Sequence, residues 1–168
     1  MKVLFAFLVA AVLTKLQLNH PEELRAMIKD SEGNIGSMDY SVSTFGHILY
    51  ANIAGVDVLQ APENEYGCDA LTAPSRDNNK KFVWLFQRGT CTFAAKAFNS
   101  QQSGAYAVVV YHDRENMNVK NIIPSGDSFY NHLKIPIILI SHEDGLKLKN
   151  ALGQNKQVDM TIDLELVN

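Results

Sequence analysis

The 168-residue chain has no surplus of positive charge: 15 Lys and Arg stand against 18 Asp and Glu, giving a formal net charge of −3. Binding nucleic acid by neutralising phosphates needs a basic excess, so no nucleic-acid partner is expected. The sequence also lacks any run of about 18 apolar residues, so no transmembrane segment is expected in the mature chain. No Asn-x-Ser/Thr sequon occurs. Internal repeats, low-complexity tracts and Pro/Gly-rich linkers are missing too, so nothing divides the chain into several domains. What remains is an ordinary globular balance, 46% hydrophobic and 20% charged residues, in a length that suits one domain with its own core.

The amino terminus departs from that balance. Lys2 precedes an unbroken apolar run over residues 3–13, and polarity returns at Thr14 and Lys15. A short basic region followed by an apolar stretch of this length is the pattern of a secretory signal peptide. Its cleavage is expected between Ala11 and Leu18, which divides the chain into a leader at 1–18 and a single domain at 19–168. The mature protein is therefore expected in the secretory pathway, secreted or lumenal.

That compartment governs the cysteines. Cys68 and Cys91 are the only two, and in an oxidising route an even number reads as one disulfide. Closing a loop of this length stabilises a fold by roughly 3 kcal/mol. The competing reading is a reactive Cys91 thiol with His112 or His132 as its base, and nothing in the sequence puts a histidine beside it.

After the leader, residues 48–58 read as extended and apolar, following the turn at Gly46. Residues 64–79 form a polar excursion with Gly67, Cys68 and Pro74. Residues 82–86 (FVWLF) and 105–111 (AYAVVVY) have the pattern of strands buried on both faces. Between them Thr92 caps a helix with Phe93, Ala97 and Phe98 facing inward, Lys96 and Asn99 on a solvated face with hydrogen bonds to loops, and Gly104 ending it. Strand, helix and strand make a βαβ unit with parallel pairing. A segment of little periodicity, 112–134, separates this unit from a third apolar run at 135–140 (IPIILI). Ser141 and Asp144 then open a short helix closed by Gly153. Val158, Met160, Ile162, Leu164 and Leu166 alternate with polar residues, as in an antiparallel or edge strand. The expected fold class is α+β, or mixed α/β: a β-rich core, closed or sandwich-like, flanked by two or more short helices.

Candidate catalytic groups do not assemble. Gly126-Asp127-Ser128 echoes hydrolase motifs but lacks the glycines and the Asp-x-x-His element that accompany them, so it reads as a turn. His142-Glu143 has Leu146 where a zinc-binding second histidine would stand. His112-Asp113 and His132 are scattered and read as solvated surface groups. Gly33 and Gly36 are not followed by the Lys-Ser/Thr of a phosphate loop. The expectation is a non-catalytic protein without metal or cofactor.

The informative stretch is Arg88-Gly89-Thr90-Cys91-Thr92-Phe93, followed by Lys96, Asn99, Gln101, Gly104, Ala105 and the strand Ala107-Val108-Val109-Val110. It resembles the signature of the protease-associated (PA) domain family, and the Ile135-Pro136 strand, Ser141 and Asp144-Gly145 match that family's closing elements. Within the family it is most similar to the lumenal PA domain of vacuolar sorting receptors, or to small secreted proteins built from one PA domain. The resemblance implies a PA-like fold and a disulfide between Cys68 and Cys91. It also implies that the turn of Arg88, Gly89, Thr90 and Cys91 contributes to binding a peptide or protein segment, such as a vacuolar or lysosomal sorting determinant of cargo. Thr90 replaces the acidic residue of the receptors, so any contact made by that carboxylate is absent.

Independently of the family, a turn between a buried strand and a helix N-terminus presents backbone N–H groups, and Arg88 adds a planar fork of donors for a carbonyl or carboxylate. A disulfide there lowers the ordering cost of binding. The alternative is a structural or regulatory module for a protease or other lumenal partner, without a peptide groove.

Overall fold

Three runs with apolar side chains on every residue need cover on both faces, and the computed structural model provides it. It describes residues 15–45, 52–75, 80–126 and 132–164. Seven strands, β1 (Lys15–His20), β2 (Tyr40–Val42), β3 (Asn52–Leu59), β4 (Phe82–Gln87), β5 (Ala107–Tyr111), β6 (Ile137–Ile140) and β7 (Asp159–Asp163), form one sheet in the order β1-β7-β3-β4-β5-β6-β2. The helices are α1 (Glu22–Met27), α2 (Phe93–Gln102) and α3 (His142–Gly153). The α+β expectation holds, as does the parallel crossover: β3, β4, β5 and β6 form one parallel ladder.

Period-two alternation sorts the ladder's side chains. Val83, Leu85, Val109, Tyr111, Ile138 and Ile140 join Leu16, Leu18, Met160 and Ile162 in one core, with Leu24 of α1, Ile28 just after it and Leu148 on α3. Phe82, Trp84, Phe86, Val108, Val110, Ile137 and Leu139 form the other core, against Ala94 and Ala97 of α2. Helix α3 approaches β5 closely because residue 145 is glycine; a Cβ there would lie 2.0 Å from that of Tyr111.

The sheet is of the closed kind rather than a sandwich of two sheets. The Leu18 N–H donates to the Gly36 carbonyl (2.8 Å) and the Met38 N–H to the Leu16 carbonyl (3.0 Å). A few residues on, Tyr40 to Val42 pair with β6. One stretch of chain therefore touches both ends of the strand order.

Several local expectations change. β7 is antiparallel but internal, lying between β1 and β3. Phe98, expected inside, is 40% exposed, and the inward face of α2 is instead Ala94, Lys96, Ala97 and Ser100. Residues 15–18, grouped above with the leader, belong to β1, where Leu16 and Leu18 are buried and paired to β7. Residues 1–14, Gly46, residues 76–79, the Asp127-Ser128 fragment and the chain end from 165 lie outside the described residues.

Candidate functional site

Parallel strands, in open sheets and closed barrels alike, place ligand sites at their carboxyl ends, where the strands end and the connections diverge. Arg88 follows β4 at this edge and His112 follows β5. The ladder runs one residue beyond each strand: the Arg88 N–H donates to the Tyr111 carbonyl (2.9 Å) and the His112 N–H to the Ile140 carbonyl (3.0 Å). These bonds hold both residues side by side at the sheet's rim.

The turn after Arg88 is tight. Gly89 has φ +119° and Thr90 φ +67°. The Cys91 N–H closes on the Gly89 carbonyl at 2.8 Å, a γ-turn whose positive φ falls on a β-branched residue, an uncommon and strained choice. That bond uses one of the N–H groups the sequence had offered to a ligand. Cys91 is joined to Cys68, with Cα atoms 5.7 Å apart, so the thiol nucleophile considered above does not exist. The Cys68 loop is fixed in turn by Asn64, whose Oδ1 accepts from the Cys68 N–H (3.0 Å) and whose Nδ2 donates to the Asp69 carbonyl (2.9 Å). Only glycine fits at 67, with φ +64° and the Phe86 ring 2.6 Å from where a Cβ would stand.

Lys96 holds the two segments together. It is 1% exposed, not solvated as its helical position suggested. Its ammonium donates to the Gly89 carbonyl at 2.8 Å and to the Tyr66 carbonyl, and lies 3.7 Å from Cys91 Sγ and 4.0 Å from Cys68 Sγ. The Tyr66 ring centroid is 5.6 Å away, a weak cation–π contact. Burial pushes the Lys96 ammonium down to about 8. Asn99 completes the arrangement by donating to the Gly67 carbonyl (3.0 Å), the loop bond expected of it.

Arg88 is half-buried. Its guanidinium donates to Nε2 of His112, lies 3.7 Å from Asp113 Oδ1, and sits 5.9 Å from the Phe93 ring centroid. Arg88 is thus engaged by a local acid and by a histidine that the sequence did not place beside it. His112 is 1% exposed, which corrects its reading as a surface group. Both ring nitrogens face donors, Nε2 the Arg88 guanidinium and Nδ1 the Arg114 N–H (3.0 Å), and Nδ1 also lies 3.4 Å from Asp113 Oδ1. A neutral imidazole accepts at one nitrogen only, so it satisfies one of these donors at a time. Burial, reinforced by the Arg88 charge, holds the imidazole below its usual value, so the neutral form is favoured.

Two cavities flank Arg88. One, of about 450 Å³, runs over Gly89, Thr90, Cys91 and Phe93 to Ser125. The other, of about 280 Å³, is lined by His112, Asp113, Arg114, Met117 and Ile122. All four predicted turn residues thus line one cavity. The aperiodic segment after β5 gives Asp113 and Ser125 to that cavity and Arg114, Met117 and Ile122 to the second, residues with no signal in the sequence beyond their position in a long connection. Among the described residues no three His, Cys, Asp or Glu groups come together to hold a metal ion. No described helix is long and apolar enough to cross a membrane.

The sequence and the fold have counterparts among known proteins. The chain is similar to vacuolar-sorting receptor 1 of Pisum sativum, 29% identical over 154 residues, 88% of this chain and 23% of the receptor. It is also similar to vacuolar-sorting receptor 5 of Arabidopsis thaliana, 31% identical over 129 residues, 74% of this chain and 21% of the receptor. Signal peptide peptidase-like 3 of Oryza sativa subsp. japonica is 27% identical over 118 residues, 69% of this chain and 21% of that protein. The chain thus spans between a fifth and a quarter of these curated relatives. Among solved structures, an aminopeptidase from Aneurinibacillus sp. strain AM-1 superposes with a TM-score of 0.54 at 16% identity, covering 90% of this chain and 30% of that one. At that identity the likeness is one of fold alone. The PA domain family matches residues 49–148, more than half of the sequence, and the chain belongs to it.

Proposed function

We propose that this PA domain is a non-catalytic binding module of the secretory and endomembrane route that holds an extended peptide segment of a protein partner in the groove around Arg88. The observation that carries the reading is the rigid turn itself. Arg88, Gly89, Thr90 and Cys91 line a cavity of about 450 Å³, and the turn is fixed by a disulfide on one side and the Lys96 ammonium beneath. A preformed polar groove loses little ordering entropy when it takes up a flexible peptide. In the bound state Arg88 turns its donors from Asp113 to a peptide carbonyl or carboxylate, and Thr90 offers a neutral hydroxyl where the receptors carry an acid. The similarity to vacuolar-sorting receptors supports cargo sorting determinants as the class of partner.

The test is affinity capture from secretory-compartment lysate with the disulfide-bonded protein and its Arg88→Ala twin side by side. Partners kept by the wild type and lost by the twin are the expected result. Identical captures would move the function to another face. They would then favour the second reading, a module that positions or restricts a protease. That reading draws on the similarity to signal peptide peptidase-like 3.

A further inference from the structure

A second cavity, of about 500 Å³, opens at the same carboxyl edge but on the opposite face of the ladder. Its volume lies in the range of small-molecule sites, roughly 300–1,000 Å³. The floor is aliphatic, made by the buried Leu85 and Ala61. Tyr111 reaches in from the end of β5, and its hydroxyl lies 3.3 Å from both Glu65 Oε1 and Gln87 Oε1. Lys149 of α3 donates to the same Glu65 oxygen. That bond holds the Glu65 carboxyl below its usual range and lifts the Lys149 ammonium above its own.

The arrangement selects against ions. Among the described residues, the only carboxylate and the only ammonium lining the cavity are bonded to each other, so their charges offset and neither stands alone as a counter-charge for an ion. The rim carries Gln60, Asn150 and Gln154, three amides that each donate and accept. An aliphatic floor under an amide rim is complementary to a group that also donates and accepts, carries no charge, and has a small apolar substituent.

We propose that this cavity binds a neutral secondary amide carrying a small apolar group. Two sources offer that chemistry, a peptide unit and an N-acetylated sugar. The site is independent of the Arg88 groove and does not rest on the function proposed for it.

The experiment is a titration of the disulfide-bonded protein, followed by amide 1H–15N spectra, with N-acetylalanine N′-methylamide in one series and N-acetylglucosamine in another. Saturable shifts at Glu65, Tyr111, Lys149 and Gln154 with either probe are expected, and the tighter probe identifies the source. Gly153 lines the cavity, and a Cβ added there meets nothing within 4 Å. Gly153→Phe is therefore expected to fill the space, keep the melting temperature and abolish the shifts. Arg88→Ala is expected to retain them. No saturable shift with either probe overturns the proposal. So does unchanged binding by Gly153→Phe, loss of binding in Arg88→Ala, or equal saturation by acetate or methylammonium.

Discussion

The Lys96 ammonium donates to the Gly89 carbonyl at 2.8 Å from a position that is 1% exposed. Lys96→Met keeps the aliphatic volume but removes the lysine donor from the Tyr66 carbonyl and leaves the Gly89 carbonyl with the Cys91 N–H alone. A buried acceptor left unpaired costs about 1–3 kcal/mol. Removing the buried charge offsets part of that loss. Amide hydrogen exchange at Thr90 and Cys91 is expected to accelerate in the variant, and partner capture to fall with it. Unchanged exchange would mean that the disulfide alone fixes the turn.

The same lysine gives the wild type a pH signature. Its folded value is about 8 against an ordinary 10.5, so between those values the unfolded chain binds more protons than the folded one. Stability should therefore rise with pH across that window, and the rise should be absent in Lys96→Met. Urea midpoints at pH 7.5 and pH 9.5 for both proteins measure it.

His112 acts at the acid end. Its folded value is depressed below the ordinary 6.5, chiefly by burial and next by Arg88. Its contribution to stability is complete above 6.5 and declines as the pH falls below it, because the unfolded imidazole protonates first. Protonation would also set a second donor against the Arg88 guanidinium. His112→Gln should flatten the loss of stability between pH 6.5 and pH 5, and a wild-type slope surviving in that variant would assign it elsewhere.

The Cys68–Cys91 bond closes a sequence separation of 23. Replacing both cysteines by alanine is expected to lower stability by roughly 3 kcal/mol. Reduction should add two hydrogens to the intact mass; no gain would show free thiols in the isolated protein.

We propose that signal cleavage falls no later than the bond before Lys15. A cut after Leu18 would strip β1 of Leu16 and Leu18, which are 1% and 0% exposed, at about 2 kcal/mol each for lost burial. The intact mass of the secreted protein reads the position directly. A mature chain starting at Asn19 would contradict the proposal.

The parts that sequence made legible are those whose signal is local. β4 as far as Phe86, β5 and β6 are apolar at every position because both faces are covered, and Thr92 and Ser141 announce α2 and α3 by caps that the structure contains, accepting from Ala95 N–H and Asp144 N–H at 3.1 Å. β1 and β2 are different. Leu16 and Leu18 are isolated apolar residues whose strand partners, Ile162 and Met160, are more than 100 residues away, and Met38 is tied to Leu16, so no window around them carries the message.

At the site, the turn of Arg88 to Cys91 was legible as a motif, while its support was not. Helical spacing alone offered Phe93, Ala97 and Phe98 as the inward face of α2. The actual phase turns Lys96 inward because two carbonyls of the disulfide-linked segments need a donor there. His112 looked like the first residue of a loop, yet its N–H continues the ladder with Ile140 and carries the ring beneath Arg88.

Residues 36–42 have a consequence for the protein's behaviour outside the folded monomer. They lie along the outer side of β1 with one end and of β6 with the other, so a single nick or local melting there would bare two strand rims at once. Exposed rims recruit strands from other molecules. Limited proteolysis at this stretch should therefore send the protein into aggregates faster than cleavage at an exposed connection.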